Sequence, residues 1–107
     1  MSRIEDVKEV FKLMVDEFDP DAVGDMDAVL GFDISGDDGG KWVVKIADRQ
    51  IEVKEGDSDD VTTAIRLADK DFLNIVNGDL NPVSAFMQGL IKIEGDMSVA
   101  MKLQNLL

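Results

Sequence analysis

Residues 78–104 read GDLNPVSAFMQGLIKIEGDMSVAMKLQ, and this stretch contains the signals that decide the fold. Asn81 followed by Pro82 predicts the start of a short helix, because Asn caps free N–H groups and Pro suits the first helical position. Residues 90–94 then predict a strand, and Asp96 is expected to cap a terminal helix. The stretch therefore predicts a helix, a strand and a second helix in that order.

The predicted terminal helix, which extends to residue 106, is apolar on two faces. One line of side chains at helical spacing is Met97, Ala100, Met101 and Gln104, and the other is Val99, Leu103 and Leu106. A helix on the surface of a small domain needs only one apolar face. Either the whole helix is buried in the core, or one face meets the sheet while the other lines a cavity. Methionine suits a cavity for irregular ligands, although it also fills gaps in ordinary cores.

The residues before this stretch predict an amphipathic helix, four strands and another helix. Residues 3–18 place apolar side chains at spacings of three and four, the period of a helix with one buried face, and Pro20 and Gly24 end that helix. Four segments then alternate apolar and polar residues, as half-buried strands do. Their inward positions are Met26, Ala28, Leu30, Phe32 and Ile34, then Trp42, Val44 and Ile46, then Ile51 and Val53, and last Val61, Thr63, Ile65 and Leu67. Asp69 is expected to cap a helix that Gly78 ends.

Four consecutive strands of this kind predict an antiparallel meander with one face toward water. With the fifth strand, and with helices packed mainly on one side, the predicted fold class is α+β: a five-stranded, largely antiparallel, twisted sheet covered by helices. No repeats or linkers divide the sequence, so we expect residues 1–107 to form a single domain. A domain of this size can bury one core without disulfides or metals.

The sequence resembles the sterol carrier protein 2 (SCP-2) family. The stretch quoted above is similar to the C-terminal signature of that family, and the resemblance extends upstream. The matching segments are Asp60-Val61-Thr62-Thr63, Asp71-Phe72-Leu73, Gly89, Lys92-Ile93, Gly95-Asp96, Met101-Lys102-Leu103-Gln104 and, more weakly, Lys41-Trp42-Val43-Val44. One position departs from the family pattern, because Leu90 stands where Lys is common, and this changes the surface chemistry at the start of that strand.

The resemblance implies a lipid-binding tunnel. Proteins of this family wrap an apolar tunnel between the sheet and the C-terminal helices, and they carry a fatty acid, fatty acyl-CoA, sterol or phospholipid without transforming it. By matched position, the residues implied to line the tunnel are Trp42, Val83, Met87, Ser98 and Met101. Ser98 and Gln104 are expected to offer polar atoms that orient a lipid head group in an otherwise apolar site.

The composition excludes most catalytic chemistry. The chain has no Cys, His or Tyr, so it cannot form Ser-His or Cys-His nucleophiles, disulfides or thiolate metal sites. No G-x-S-x-G, G-x-G-x-x-G or P-loop motif occurs. Carboxylates alone can act as acid and base when their pKa values differ, but the acidic residues here cluster in turns and on the polar faces of strands. We therefore expect a protein that is not an enzyme and needs no cofactor.

The best metal candidate is an Asp-rich segment that follows the first helix. Asp19, Asp21, Gly24 and Asp27 match positions one, three, six and nine of a calcium-binding loop. The twelfth position, which must supply a carboxylate, is Leu30. We therefore expect no metal site and interpret these aspartates as caps of their own backbone.

The net charge of −12 is concentrated in the first three quarters of the chain. Residues 1–80 hold 21 acidic and 9 basic side chains, while residues 81–107 hold two of each. Nucleic acids and anionic lipid surfaces are bound through clustered Lys and Arg, so neither is an expected partner. We expect a monomer that contacts membranes only transiently. The sequence shows no signal peptide, no apolar run that could span a membrane and no peroxisomal signal, which predicts a cytoplasmic location.

These observations predict a non-enzymatic carrier that encloses a hydrophobic ligand in an apolar tunnel and transfers it. The alternative is an accessory scaffold that presents a hydrophobic biosynthetic intermediate, such as an isoprenoid quinone precursor, to partner enzymes. Lipid exchange between vesicles by the free monomer favours the carrier, whereas an exposed apolar docking patch favours the scaffold. The identity of the lipid does not follow from the sequence, because an apolar site selects its ligand by length and shape.

Overall fold

Five strands form one mixed sheet, which is the central layer of the fold. A computed structural model describes residues 4–96 and residue 98. The strands are β1 (Ala28–Ser35), β2 (Gly40–Ala47), β3 (Gln50–Glu55), β4 (Thr63–Ala68) and β5 (Lys92–Gly95). Their order is β3-β2-β1-β4-β5, and each neighbouring pair is antiparallel except β1 with β4. The predicted α+β class, with a five-stranded and largely antiparallel sheet, is confirmed.

The predicted four-stranded meander is wrong in its last step. The first three strands follow one another as hairpins, but β4 lies on the other side of β1 and runs parallel to it. Residues 56–62 make this connection by crossing back over the sheet. At its start Gly56 N donates to Lys41 O on β2, and at its end Thr62 N donates to Val29 O on β1, both at 2.8 Å. The alternation of apolar and polar residues shows which face of a strand is buried. It does not show which other strand pairs with it, so the sequence pattern could not reveal the crossover.

Strand boundaries differ from the prediction by about two residues. The alternating pattern placed the first residue of β1 at Met26, of β4 at Val61 and of β5 at Leu90, and each strand begins two residues later. The turn between β2 and β3 consists of Asp48 and Arg49, whose φ angles are 54° and 62°. Two positive φ angles make a turn whose twist suits a hairpin, and it occurs here without the usual Asn or Gly.

Four helices are described: α1 (Val7–Asp16), α2 (Pro20–Val23), α3 (Asp69–Val76) and α4 (Pro82–Met87). The first predicted helix is therefore shorter than expected, because it ends at Asp16, before Pro20. Pro20 begins a second helix and Gly24 is the C-cap of that helix, so the prediction that these two residues end the first helix is wrong. Asp69 is not the cap of α3 as predicted but its first residue, because Ala68 occupies the capping position. None of the helices among the described residues is long and apolar enough to cross a membrane.

The core lies between one face of the sheet and the helices, and aromatic rings form its centre. Helix α1 packs on α3 and β3, and α3 packs on β1 and β4. The ring centroid of Phe11 on α1 lies 4.6 Å from that of Trp42, 5.4 Å from Phe32 and 5.5 Å from Phe72. Each aromatic pair of this kind contributes about 0.5–1.5 kcal/mol beyond the burial of its apolar area. The cluster therefore joins the helix layer to the central strand β1 and its neighbour β2.

Two aspartates tie the β1–β2 turn to the helices. The Asp69 carboxylate is buried and accepts hydrogen bonds from Asp38 N at 3.0 Å and from Lys70 N at 2.8 Å. The Asp38 carboxylate accepts one from Val7 N, at the start of α1, at 2.8 Å. Gly36 in the same turn has φ 106°, and a Cβ there would collide with the Asp69 carboxylate. The turn is therefore held in one position by both helices.

We expect Asp69→Ala to destabilise the fold by about 2 kcal/mol, because it leaves two backbone N–H groups without their acceptor at a buried position. The measurement is urea unfolding followed by the fluorescence of Trp42, the single tryptophan of the chain. The matched control is Asp37→Ala, an exposed position in the same turn, which should change stability by less than about 0.5 kcal/mol. Equal losses in the two variants would show that the Asp69 hydrogen bonds do not hold the turn.

Candidate functional site

The candidate site lies on the helix-covered side of the sheet. Trp42 lies on that side because side chains along β2 point alternately to the two faces of the sheet. Trp42 faces the same side as Val44 and Ile46, which are both fully buried. Its ring stacks on Phe11 with an interplanar angle of 16°. Trp42 itself is only half-buried, so its indole lies at the edge of the core. The structure thus places this predicted tunnel residue beside α1, within the aromatic cluster.

Helix α4 begins and ends at two well-defined caps. The Asn81 side chain accepts hydrogen bonds from Val83 N at 2.9 Å and Ser84 N at 3.2 Å, as predicted for its N-cap. At the other end Gly89 adopts φ 80°, and Leu90 N donates to Ala85 O at 2.9 Å. This arrangement is a Schellman motif, in which a residue beyond the helix closes back on its last turn. It places Leu90 next to the end of the helix.

The outer side of α4 is apolar and exposed. We define the α4 face as Val83, Phe86, Met87 and Leu90, with exposed fractions of 44%, 41%, 80% and 38%. Only Ala85 of this helix is buried, and it holds α4 against the core. Within the helix, Val83, Phe86 and Met87 share one side through spacings of three and four residues, and Leu90 follows the helix directly after the Gly89 turn. Phe86 and Leu90 were missing from the predicted site, although the spacing of Phe86 from Val83 is visible in the sequence.

The remaining predicted site residues lie at the end of the chain. Ser98 is exposed, and its N–H donates to the Asp96 carboxylate at 2.9 Å, the geometry expected if Asp96 caps a helix. The backbone O of Asp96 also accepts a hydrogen bond from the Thr63 hydroxyl at 3.3 Å, which anchors this segment to β4. Met101 and Gln104 lie outside the described residues, as does the rest of the predicted terminal helix. The tunnel and its lining therefore stay predictions.

The opposite face of the sheet has recesses whose walls mix charged and apolar side chains. One of about 220 Å³ is lined by Lys41, Asp57 and Arg66 together with Val43 and Val61. Lys41 pairs with Asp57 at 3.3 Å, and Arg66 pairs with Glu94 at 3.4 Å. An apolar ligand would have to desolvate these charged groups, so this face does not suit a lipid.

The predicted calcium-like segment uses its aspartates for structural contacts. The Asp19 carboxylate accepts a hydrogen bond from Asp21 N at 3.0 Å and caps α2. Asp21 forms an ion pair with Arg49 in the β2–β3 turn. Leu30, at the position where calcium needs a carboxylate, is fully buried in β1. Within residues 4–96 and at residue 98, no group of three or more acidic side chains is arranged to hold a metal ion.

Comparison with known proteins gives related sequences and a shared fold. Hydroxysteroid dehydrogenase-like protein 2 of Bos taurus is 34% identical over 102 residues, which cover 94% of this chain and 24% of that protein. Sterol carrier protein 2 of Homo sapiens is 41% identical over 81 residues, which cover 73% of this chain and 15% of that protein. The present chain thus spans about a quarter or less of the length of these relatives.

The solution structure of palmitated SCP2L2 from Aedes aegypti has the same fold. It matches with a TM-score of 0.80 at 24% identity, and the alignment covers 95% of this chain and 94% of that one. In addition, the model of the SCP-2 sterol transfer family matches residues 7–107, which include every strand and helix described above. The chain therefore belongs to the SCP-2 sterol transfer family.

Proposed function

We propose that this protein binds a fatty acid, fatty acyl-CoA, sterol or phospholipid between its sheet and helices and transfers it without chemical change. The observation that carries the proposal is membership of the SCP-2 sterol transfer family over nearly the whole chain. The position of Trp42 supports it, because this large apolar ring lies half-buried at the edge of the core. A hydrophobic ligand could contact the ring there without displacing the packed Phe11.

The chemistry of the chain favours binding over catalysis. The whole sequence lacks Cys, His and Tyr, so it has no thiol nucleophile, no phenol and no imidazole, which is the side chain that most often acts as acid or base near neutral pH. Every buried polar side-chain atom among the described residues has a hydrogen-bond partner, so none is held unpaired for a substrate. The bovine relative has a dehydrogenase-like name, but this chain covers only 24% of that protein. A dehydrogenase activity is therefore not part of the proposal.

Energetics favour a ligand with a long apolar part. Enclosing one methylene contributes about 0.8 kcal/mol, so ten contribute roughly 8 kcal/mol. Association costs about 4–15 kcal/mol in lost freedom of motion, and micromolar affinity requires a net gain of about 8 kcal/mol. Short-chain acids should therefore bind poorly, and chains well beyond ten carbons or a fused-ring sterol should bind well.

One observation favours the scaffold as a second candidate function. The α4 face is an exposed apolar surface, and a partner enzyme could dock on it while receiving a hydrophobic intermediate. The carrier and the scaffold differ in whether lipid leaves the protein without help. Transfer of a fluorescent fatty acid between two vesicle populations by the purified protein alone supports the carrier, and transfer that requires a second protein supports the scaffold.

We expect long-chain fatty acid to stabilise the protein and to change the emission of Trp42. A ligand at 100 times its dissociation constant adds about 2.7 kcal/mol of stability. The measurements are thermal unfolding and tryptophan fluorescence during titration with oleic acid and with cholesterol, and butyric acid is the short-chain control. Trp42→Phe should retain the thermal shift and lose the optical signal. Unchanged melting with every long-chain lipid and sterol, together with no extractable lipid after purification, would contradict the proposal.

We expect Met101→Glu to abolish lipid binding while the protein stays folded. A side chain that lines a cavity can direct its charge toward water in that cavity, whereas a charge in a packed core destabilises the whole domain. Circular dichroism measures folding and the oleic acid titration measures binding, with Met101→Leu as the volume-matched control. An unfolded Met101→Glu protein beside a normal Met101→Leu protein would place this residue in the core.

A further inference from the structure

The α4 face lies in the longest part of the sequence that carries no charge. Residues 80–91 contain no Asp, Glu, Lys or Arg, although 32% of the whole chain is charged. The nearest charged residues in sequence are Asp79 before this segment and Lys92 after it. The apolar side chains and the absence of charge coincide on one small helix, so this surface differs from the acidic remainder of the molecule.

We propose that the α4 face docks this protein on the surface of a lipid bilayer while it collects or delivers its ligand. This proposal rests on the proposed carrier function and names the surface that the carrier would use. Phe86 and Met87 insert among the lipid head groups, with Val83 and Leu90 on either side of them. Val83 and Met87 are also the residues that the family resemblance assigns to the tunnel wall, so the same helix connects the membrane with the ligand site.

The charge distribution favours a bilayer rich in zwitterionic lipids as the occupant. A chain of net charge −12 is repelled by anionic surfaces, and an uncharged apolar face is the part that meets least repulsion near any membrane. Helices that bind membranes strongly carry Lys and Arg around their apolar side. The α4 face has no such residue within its uncharged segment, so its membrane contact is weak and reversible, as a carrier requires.

A partner protein fits this surface less well. Protein interfaces surround a buried aromatic or Arg anchor with a polar rim that makes about ten hydrogen bonds. The segment from residue 80 to residue 91 has one aromatic side chain, and its polar side chains are Asn81, Ser84 and Gln88, of which Asn81 is already used to cap α4. A bilayer needs no specific partners for these groups, because head groups and water solvate them.

The test measures partition of the protein into phosphatidylcholine vesicles by energy transfer from Trp42 to a dansyl lipid. The double variant F86S/M87S should partition at least tenfold more weakly than the native chain. The single variant Met87→Ser, at the most exposed position, should show part of the loss even if the double variant folds poorly. The control is Val15→Ser, which removes from α1 an apolar side chain that is 42% accessible, about as exposed as Phe86 at 41%, and it should leave partition unchanged.

Three results would overturn the docking proposal. The first is that the native chain does not partition into these vesicles. The second is that Val15→Ser and F86S/M87S lose partition equally. The third is that the native chain self-associates through this face, as shown by loss of self-association in F86S/M87S, and does not bind vesicles. Oleic acid titration in the absence of vesicles tests the carrier function separately. If the chain binds oleic acid but not vesicles, the carrier function stands and the docking proposal fails. If the chain partitions through α4 but binds no oleic acid, docking stands and the carrier function fails.

We expect anionic lipid to weaken this contact at low salt. With about a third of the phosphatidylcholine replaced by phosphatidylserine, partition should fall severalfold at 10 mM salt, where electrostatic repulsion extends about 30 Å, and recover at 150 mM, where it extends about 8 Å. Partition into pure phosphatidylcholine should change much less between the two conditions. Stronger partition into the anionic vesicles at low salt would indicate a basic docking surface and contradict the α4 face as the contact.

Discussion

The packing of Phe11 against the sheet is the contact on which the rest of the structure depends. Its ring contacts Trp42 on β2, Phe32 on β1 and Phe72 on α3, and only 2% of its surface is exposed. Removing a buried Phe side chain typically costs about 3–5 kcal/mol, which is a large part of the 5–15 kcal/mol that stabilises a domain. Phe11 therefore makes the central contact that positions α1 over the sheet, and the buried Val7, Val10 and Met14 of the same helix extend that contact.

Acidic side chains have a structural role in addition to giving the protein its charge. The carboxylates of Asp6 and Asp19 each cap a helix by accepting a backbone hydrogen bond, and the carboxylates of Asp38 and Asp69 join the β1–β2 turn to two helices. Helix N-termini have free N–H groups and favour negative charge. The excess of Asp in the first 80 residues is thus partly explained by the number of helix starts and turns that these residues contain.

The uncharged α4 face and the charged face of the sheet lie in different parts of the molecule. Ion pairs between Arg66 and both Asp33 and Glu94 occupy the sheet face opposite the helices, whereas the α4 face is uncharged and apolar. The helix layer also carries charge, because Lys8, Glu9 and Lys12 are exposed on α1. The uncharged apolar surface is therefore a property of α4 and not of the whole helix side.

The sequence by itself determined the fold class, the number of strands, the cap at Asn81 and the family. These features depend on local periodicity and on short motifs, and both are visible within a few residues. The tertiary structure decided that β4 pairs parallel to β1 and that Asp69 binds the turn at Asp38, because both involve residues about 30 positions apart that have no pattern in common. It also decided that Val83 and Met87 are exposed on α4, since periodicity shows which residues share a face but not whether another element covers that face.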